Sequence, residues 1–407
     1  MTARPTVLFT QRSAIRAIVG ELRGDGRGWI LLVIGVGWFL SLGTQLVFPS
    51  IMPHLQAEFD LSLTVAGSVM TVLWMTYALC QLPSGIVGDR IGSGRLLVVS
   101  TAAAGVVAAF VATSVSAGML IIGAILFGLA TAPYGPLRYA ILTDVYAERE
   151  GTAIGITLAA GNVGNSVLPI VAGLLATYLS WRFGFGLLVP LFLLTAIGVW
   201  LFVPSNTGET TSSPLSVNSL RYVAENVAST RILLVTMIQI CAFFSWQGFT
   251  AFYPTYLVDV KSITPGVASI LFGTFFAVGV VVQPIAGGAL DRFGIRPVLY
   301  VIGTVIVVSL GSLPFVEGVI PLTVLTIFLS SLLGFTPVTH TYLTNQLPSD
   351  MKGRGLGLLR TLFMTISGVA PLLVGVMADR GPFDYVFFLL SGVCLLALLL
   401  VFLIPRE

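Results

Sequence analysis

The chain has 407 residues, 56% of them hydrophobic and only 9% charged, with a mean hydropathy of +0.99. A soluble domain carries about 25% charged residues, so this composition excludes a soluble enzyme, a nucleic-acid binder and a disordered chain. The net charge of +3 matters less than where the charges sit.

Residues 1–28 form a polar N-terminal segment with Arg4, Arg12, Arg16, Arg23 and Arg27, and lack the early apolar core of a signal peptide. Within it Ile15, Ile18, Val19 and Leu22 recur at helical spacing, which predicts a short helix lying on a membrane surface. Twelve windows of about 20 mostly apolar residues follow, each long enough to span a bilayer. They fall at 29–50, 66–86, 96–114, 118–142, 152–177, 183–203, 231–254, 266–288, 297–314, 319–343, 354–378 and 384–404. A β-barrel is excluded, because the runs are continuous rather than alternating. The stretch 204–230 opens with a run of turn formers and is poor in apolar residues. It reads as a linker between two six-helix bundles, 29–203 and 231–407. The expected fold is therefore an all-α integral membrane protein with twelve transmembrane helices. The 44 glycines suit close helix packing in a membrane. Cys80, Cys241 and Cys394 lie far apart in apolar runs, with no metal-site or disulfide spacing.

Orientation follows from Lys and Arg. With the N-terminus inside, fifteen fall on inner segments and three (Arg182, Lys261 and Arg380) on outer loops. Both termini are expected in the cytoplasm, with the chain in the cell membrane.

Shifted on itself by 202 residues, the sequence matches at scarce residue types. Gln45 meets Gln247 and Gln81 meets Gln283. Gly85, Asp89, Arg90 and Gly92 meet Gly287, Asp291, Arg292 and Gly294. Gly151, Gly155, Pro169 and Gly173 meet Gly353, Gly357, Pro371 and Gly375. One offset surviving across six spans signals two parallel repeats, with a solute site expected near the midplane between them.

The loops Gly85-Ile86-Val87-Gly88-Asp89-Arg90-Ile91-Gly92-Ser93-Gly94-Arg95 and Gly287-Gly288-Ala289-Leu290-Asp291-Arg292-Phe293-Gly294-Ile295-Arg296 resemble the G-x-x-x-D-R-x-G-x-[RK] motif of the major facilitator superfamily. The resemblance implies an alternating-access transporter. It also implies that Gly85, Asp89, Arg90, Arg95, Gly287, Asp291 and Arg292 latch the cytoplasmic ends of the two bundles in the outward-facing state. Asp144, at the inner end of span 4, is a candidate partner for Arg90 or Arg95. The alternative is that these arginines only enforce topology.

None of the seventeen Asp and Glu residues falls in the middle of a span. Three basic groups do lie within spans: Arg138, His340 and Arg360. Arg138 and His340 are equivalent at the 202 offset. Buried ionisable groups are expensive and usually functional. In the resembled fold, spans 1, 4, 7 and 10 line the cavity and spans 2, 5, 8 and 11 flank it. Two arginines and a histidine with no acid beside them suit an anion. The competing readings are snorkelling to headgroups and a gate with Asp144, Glu148 or Asp350. Gln45, Gln247, Gln81 and Gln283 are candidates for solute contact or for helix–helix hydrogen bonds. Asn162 stands in Gly161-Asn162-Val163-Gly164-Asn165, which is similar to the Gly-Asn-x-Gly signature of nitrate/nitrite porters. Those porters carry arginine where this chain has Gln81 and Gln283. Trp38, Trp74 and Trp246 read as packing residues.

The expected function is secondary transport of a small organic solute, an anion rather than a cation, by exchange or facilitated passage. No cofactor, metal or nucleic acid is expected, and the chain is expected to act as a monomer in the lipid bilayer. A multidrug or hydrophobic-solute exporter of the same fold is the nearest alternative. A membrane receptor or channel is the alternative from another class.

Overall fold

The computed structural model describes residues 27–205, 229–347 and 352–404. The surface helix expected before residue 27, most of the 204–230 linker, and Asp350 lie outside them.

Twelve spans cross the described residues in the expected order. The first six are α1 (Arg27–Phe59), α2 (Leu63–Ile91), α3 (Ser93–Ala112), α4 (Ala117–Val145), α5 (Glu150–Tyr178) and α6 (Trp181–Phe202). The second six are α7 (Thr230–Asp259), α8 (Pro265–Phe293), α9 (Ile295–Phe315), α10 (Val319–Gln346), α11 (Gly355–Arg380) and α12 (Asp384–Leu403). Span α1 runs past the end of its apolar window at residue 50. Buried Ile51, Met52 and Leu55 keep one face apolar there. Asp60 then ends the helix in the left-handed region at φ 49°.

Local sequence explains the turns and breaks. Ser62, Ser116 and Ser229 each accept a backbone N–H at a span's start. Gly92 and Gly294 hold φ of 93° and 76° at the equivalent turns after α2 and α8, a region in which a side chain is strained. The helix of α1 is interrupted at Leu46, three residues before Pro49, and that of α4 around Pro133. Span α10 passes through a tighter 3₁₀ turn at Ser330–Gly334, before Pro337. The α4 and α10 breaks are equivalent at the 202 offset. In each case a proline withholds a helical N–H and its ring crowds the preceding turn.

One end of the bundle carries Arg90, Arg95, Arg292 and Arg296 and is called here the basic end. The other is the far end. At the far end the two halves meet backbone to backbone. Against α11, a Cβ on Gly67 would lie 2.3 Å from the Pro371 carbonyl oxygen, and one on Gly375 would lie 2.3 Å from that of Leu63. Neither glycine can be replaced without parting the helices. The Asp379 carboxylate accepts from the Leu63 and Thr64 N–H groups at 2.9 and 2.8 Å, so α11 caps the N-terminus of α2. Leu372 N–H donates to Thr71 Oγ1 at 3.0 Å. The pseudo-equivalent junction joins α8 to α5 and α1. Ser50 donates to the Pro169 carbonyl at 2.7 Å and pairs with Ser269 at 3.0 Å. A Cβ on Gly273 would sit 2.6 Å from the Ser166 carbonyl oxygen.

The basic end is different. Cβ atoms on Gly85, Gly287, Gly288, Gly151, Gly155 and Gly357 would meet nothing within 4 Å. Asp89, Arg90, Arg95, Asp144, Asp291 and Arg292 are all exposed, and Asp144 makes no ion pair with Arg90 or Arg95. The two halves are in close contact at the far end, whereas these glycines of the basic end meet no atom of the other half, the reverse of the state in which the resemblance has the loops latched.

Replacing Asp379 with alanine removes two charge-assisted hydrogen bonds from the far-end seam. A cysteine placed at Ser269, fully buried in that seam, is expected to react with a maleimide about tenfold faster in the Asp379→Ala background. Equal labelling rates contradict a latching role for this cap.

Candidate functional site

Between the two halves lies a cavity of about 210 Å³. Its place follows from residue order along four spans. On α2, the seam residues Gly67 and Thr71 precede the lining residues Trp74 and Tyr77 towards the basic end. On α8, Ser269 and Gly273 precede Gln283 in the same sense. On α5 and α11, which run the other way, Asn162 and Met364 come before Pro169 and Pro371. The cavity therefore sits on the basic side of the seam, shut from the far end.

Each wall is one face of a helix. Span α7 contributes Gln239, Ala242, Phe243 and Trp246, spaced i, i+3, i+4 and i+7. Span α5 contributes Asn162 and Asn165, and α11 contributes Arg360 and Met364. Phe335 and Thr336 follow the α10 break directly, so the broken helix turns them to the cavity. The Trp74 and Trp246 rings meet edge to face across the two halves, with centroids 5.4 Å apart.

Among the described residues, Arg360 is the one charged residue lining the cavity, and no Asp or Glu lines it. Among the described residues it has no acidic partner. Arg138 lies within electrostatic range of it but does not line the cavity. The Arg138 side chain is 1% exposed. Its guanidinium carbon stands 3.5 Å from the Trp38 ring centroid and 4.1 Å from that of Tyr139. Its Nε and Nη1 have no hydrogen-bond partner. His340 packs its ring 5.4 Å from Phe363 and leaves Nε2 buried without a partner. It too is in electrostatic range of Arg360.

The glutamines divide. Gln283 lines the cavity and accepts from Asn162 Nδ2 at 3.4 Å. Gln81 donates to the Met364 sulfur at 3.9 Å. These two cross-half contacts are equivalent at the 202 offset, 81 with 283 and 162 with 364. Gln45 is fully buried and donates to Thr131 at 3.4 Å, tying α1 to the α4 break inside one half. Gln247 is fully buried beside the cavity wall, and neither its amide oxygen nor its nitrogen has a partner.

The cavity wall also takes in Gln239, Tyr77, Phe243, Asn165 and Met364, which the sequence does not single out, and it includes Trp74 and Trp246, whose sequence context reads as packing. The helical stripe on α7 was visible in the sequence. The repeat drew attention to polar pairs instead, and the equivalent of Gln239 is Gly37.

A family model described as Major Facilitator Superfamily matches residues 33–260 and 235–407. The chain is 22% identical to a hexuronate transporter of Bacillus subtilis (strain 168), over 87% of this chain and 89% of that protein. It is 20% identical to the riboflavin transporter RibZ of Clostridioides difficile (strain 630), over 82% and 84% of the two chains. Among solved structures, it resembles a bacterial homologue of the human lysosomal transporter Spinster in an inward-facing, unoccupied conformation. The TM-score is 0.79 at 14% identity, over 94% of this chain and 97% of that one.

Arg138 gives a test of cost against role. A buried guanidinium without full hydrogen bonding is expensive in a membrane interior, and an apolar side chain of similar length often stabilises such a site. Arg138→Met is expected to raise the melting temperature of the detergent-solubilised protein by about 2 °C or more. A fall of similar size assigns Arg138 to holding α4 in place.

Proposed function

This chain belongs to the major facilitator superfamily, whose members carry small molecules across a lipid bilayer, and from that premise we propose that it carries a small organic anion by alternating access. The observation behind this reading is Arg360, a guanidinium at the wall of a cavity shut from the far end, with no acid among the described residues lining it. Such a charge is costly in a membrane interior, and an anion entering the cavity offsets it. The planar fork of arginine binds a carboxylate through two parallel hydrogen bonds. Hexuronate, the solute named for one full-length relative, carries one carboxylate.

The basic end is the cytoplasmic face under the Lys and Arg bias, so the structure corresponds to an inward-facing carrier in the cell membrane. Solute enters or leaves between the parted ends of the two halves, and the far-end seam blocks the other side. In the alternate state the seam opens and the loops around Asp89 and Asp291 close. With no carboxylate lining the cavity, exchange or facilitated passage is the simplest coupling. A lipophilic cation, as for a multidrug exporter, meets repulsion from Arg360 and Arg138.

The experiment is a thermal-shift screen of carboxylates, followed by titration of the best binder in detergent without a gradient. Arg360→Lys keeps the charge and loses the fork, so affinity falls. Arg360→Gln loses both, and affinity falls further, by about 1.5–3 kcal/mol or ten- to hundredfold. Unchanged affinity in both variants, or a ligand that proves cationic, overturns the reading.

A further inference from the structure

The walls of the cavity narrow the class of anion, and this inference rests on the anion reading above. An unbroken chain of ring contacts crosses from one half to the other. Tyr77 meets Trp74 at 6.0 Å, Trp74 meets Trp246 at 5.4 Å, and Trp246 meets Phe243 at 5.0 Å. All four rings line the cavity, as does Phe335. Each half supplies part of this wall, α2 on one side and α7 and α10 on the other. The ring surface is therefore complete only where the two halves face each other, which is where a carried solute must sit.

Two further features bear on the solute. Among the described residues one cation lines the cavity, so one anionic group is balanced and a second is not. A void of about 150 Å³ admits a benzene-sized molecule, and this one, at about 210 Å³, leaves room for a ring and one small polar group. Buried amide atoms remain unpaired on the lining residues Asn165 (Oδ1) and Gln239 (Nε2).

We propose that the cavity selects an aromatic or heteroaromatic monocarboxylate, its ring packed against Trp74, Trp246 and Phe243 and its carboxylate on Arg360. Ring–ring contacts in offset or edge-to-face geometry contribute beyond simple burial, so a flat π-system is favoured over a saturated ring of the same size. A polyhydroxylated chain gains little from such a wall and loses its water.

Four probes separate the contributions: benzoate, cyclohexanecarboxylate, benzamide and terephthalate, each titrated against the purified full chain in detergent. Benzoate is expected to bind about tenfold tighter than each of the other three. Trp246→Leu is expected to weaken benzoate about fivefold and to leave cyclohexanecarboxylate within about twofold. Trp246→Phe keeps a ring at the site and should retain most of the benzoate affinity, which guards against misfolding of the leucine variant. Cyclohexanecarboxylate binding as tightly as benzoate overturns the aromatic inference and leaves the anion reading standing. Terephthalate binding as tightly as benzoate overturns the single-charge limit and with it the proposal. Benzamide binding as tightly as benzoate overturns the anion reading and the proposal together, whereas failure of benzoate, cyclohexanecarboxylate and terephthalate alike to bind overturns the proposal and leaves the anion reading to the Arg360 variants.

Discussion

A guanidinium kept inside a membrane without an acid to neutralise it is the constraint around which the molecule is arranged. Arg360 stands at the cavity wall, and Arg138 lies within electrostatic range of it. Neither is exposed at a helix end where water would solvate it. The structure meets the cost in two ways. Arg138 is covered by the faces of Trp38 and Tyr139, which replace part of its hydration with ring quadrupoles. Arg360 is left beside a void of about 210 Å³ that a solute or water can fill.

A cavity of that kind serves a carrier only if it is open to one side at a time, and the far-end seam provides the closure. Its contacts are made by small residues and backbone groups. Gly67 and Gly375 let carbonyls approach α2 and α11, Ser50 and Ser269 pair across the other junction, and Asp379 caps a helix of the opposite half. The neutral hydrogen bonds of this seam are each worth about 1 kcal/mol, and those to the Asp379 carboxylate somewhat more. The seam can open without unfolding either half.

Much of the fold was legible because the chain is poor in polar residues. Asp, Arg, Gln and Pro are scarce enough that their coincidence at one offset exposed the repeat, and Gly92 with Gly294 marks the same turn twice. Arg360 and Gln283 stand out for the same reason, and Asn162 through its Gly-Asn-x-Gly surroundings; all three line the cavity. The ring wall does not stand out, since Trp and Phe in an apolar helix look alike whether they face lipid, a neighbour or a cavity. The seam was illegible for a different reason. Its partners are backbone carbonyls and N–H groups, which every residue carries, and Asp379 gave no sign beyond its place at a span's end. Only the packing of α11 on α2 turns that carboxylate into a cap.

The most direct measurement is uptake of a labelled carboxylate into proteoliposomes. The account predicts saturable uptake that is accelerated by unlabelled carboxylate trapped inside, and that is lost in Arg360→Gln while the protein remains folded. Uptake that rises linearly with concentration, or that survives the loss of Arg360 unchanged, would contradict a carrier built around that charge.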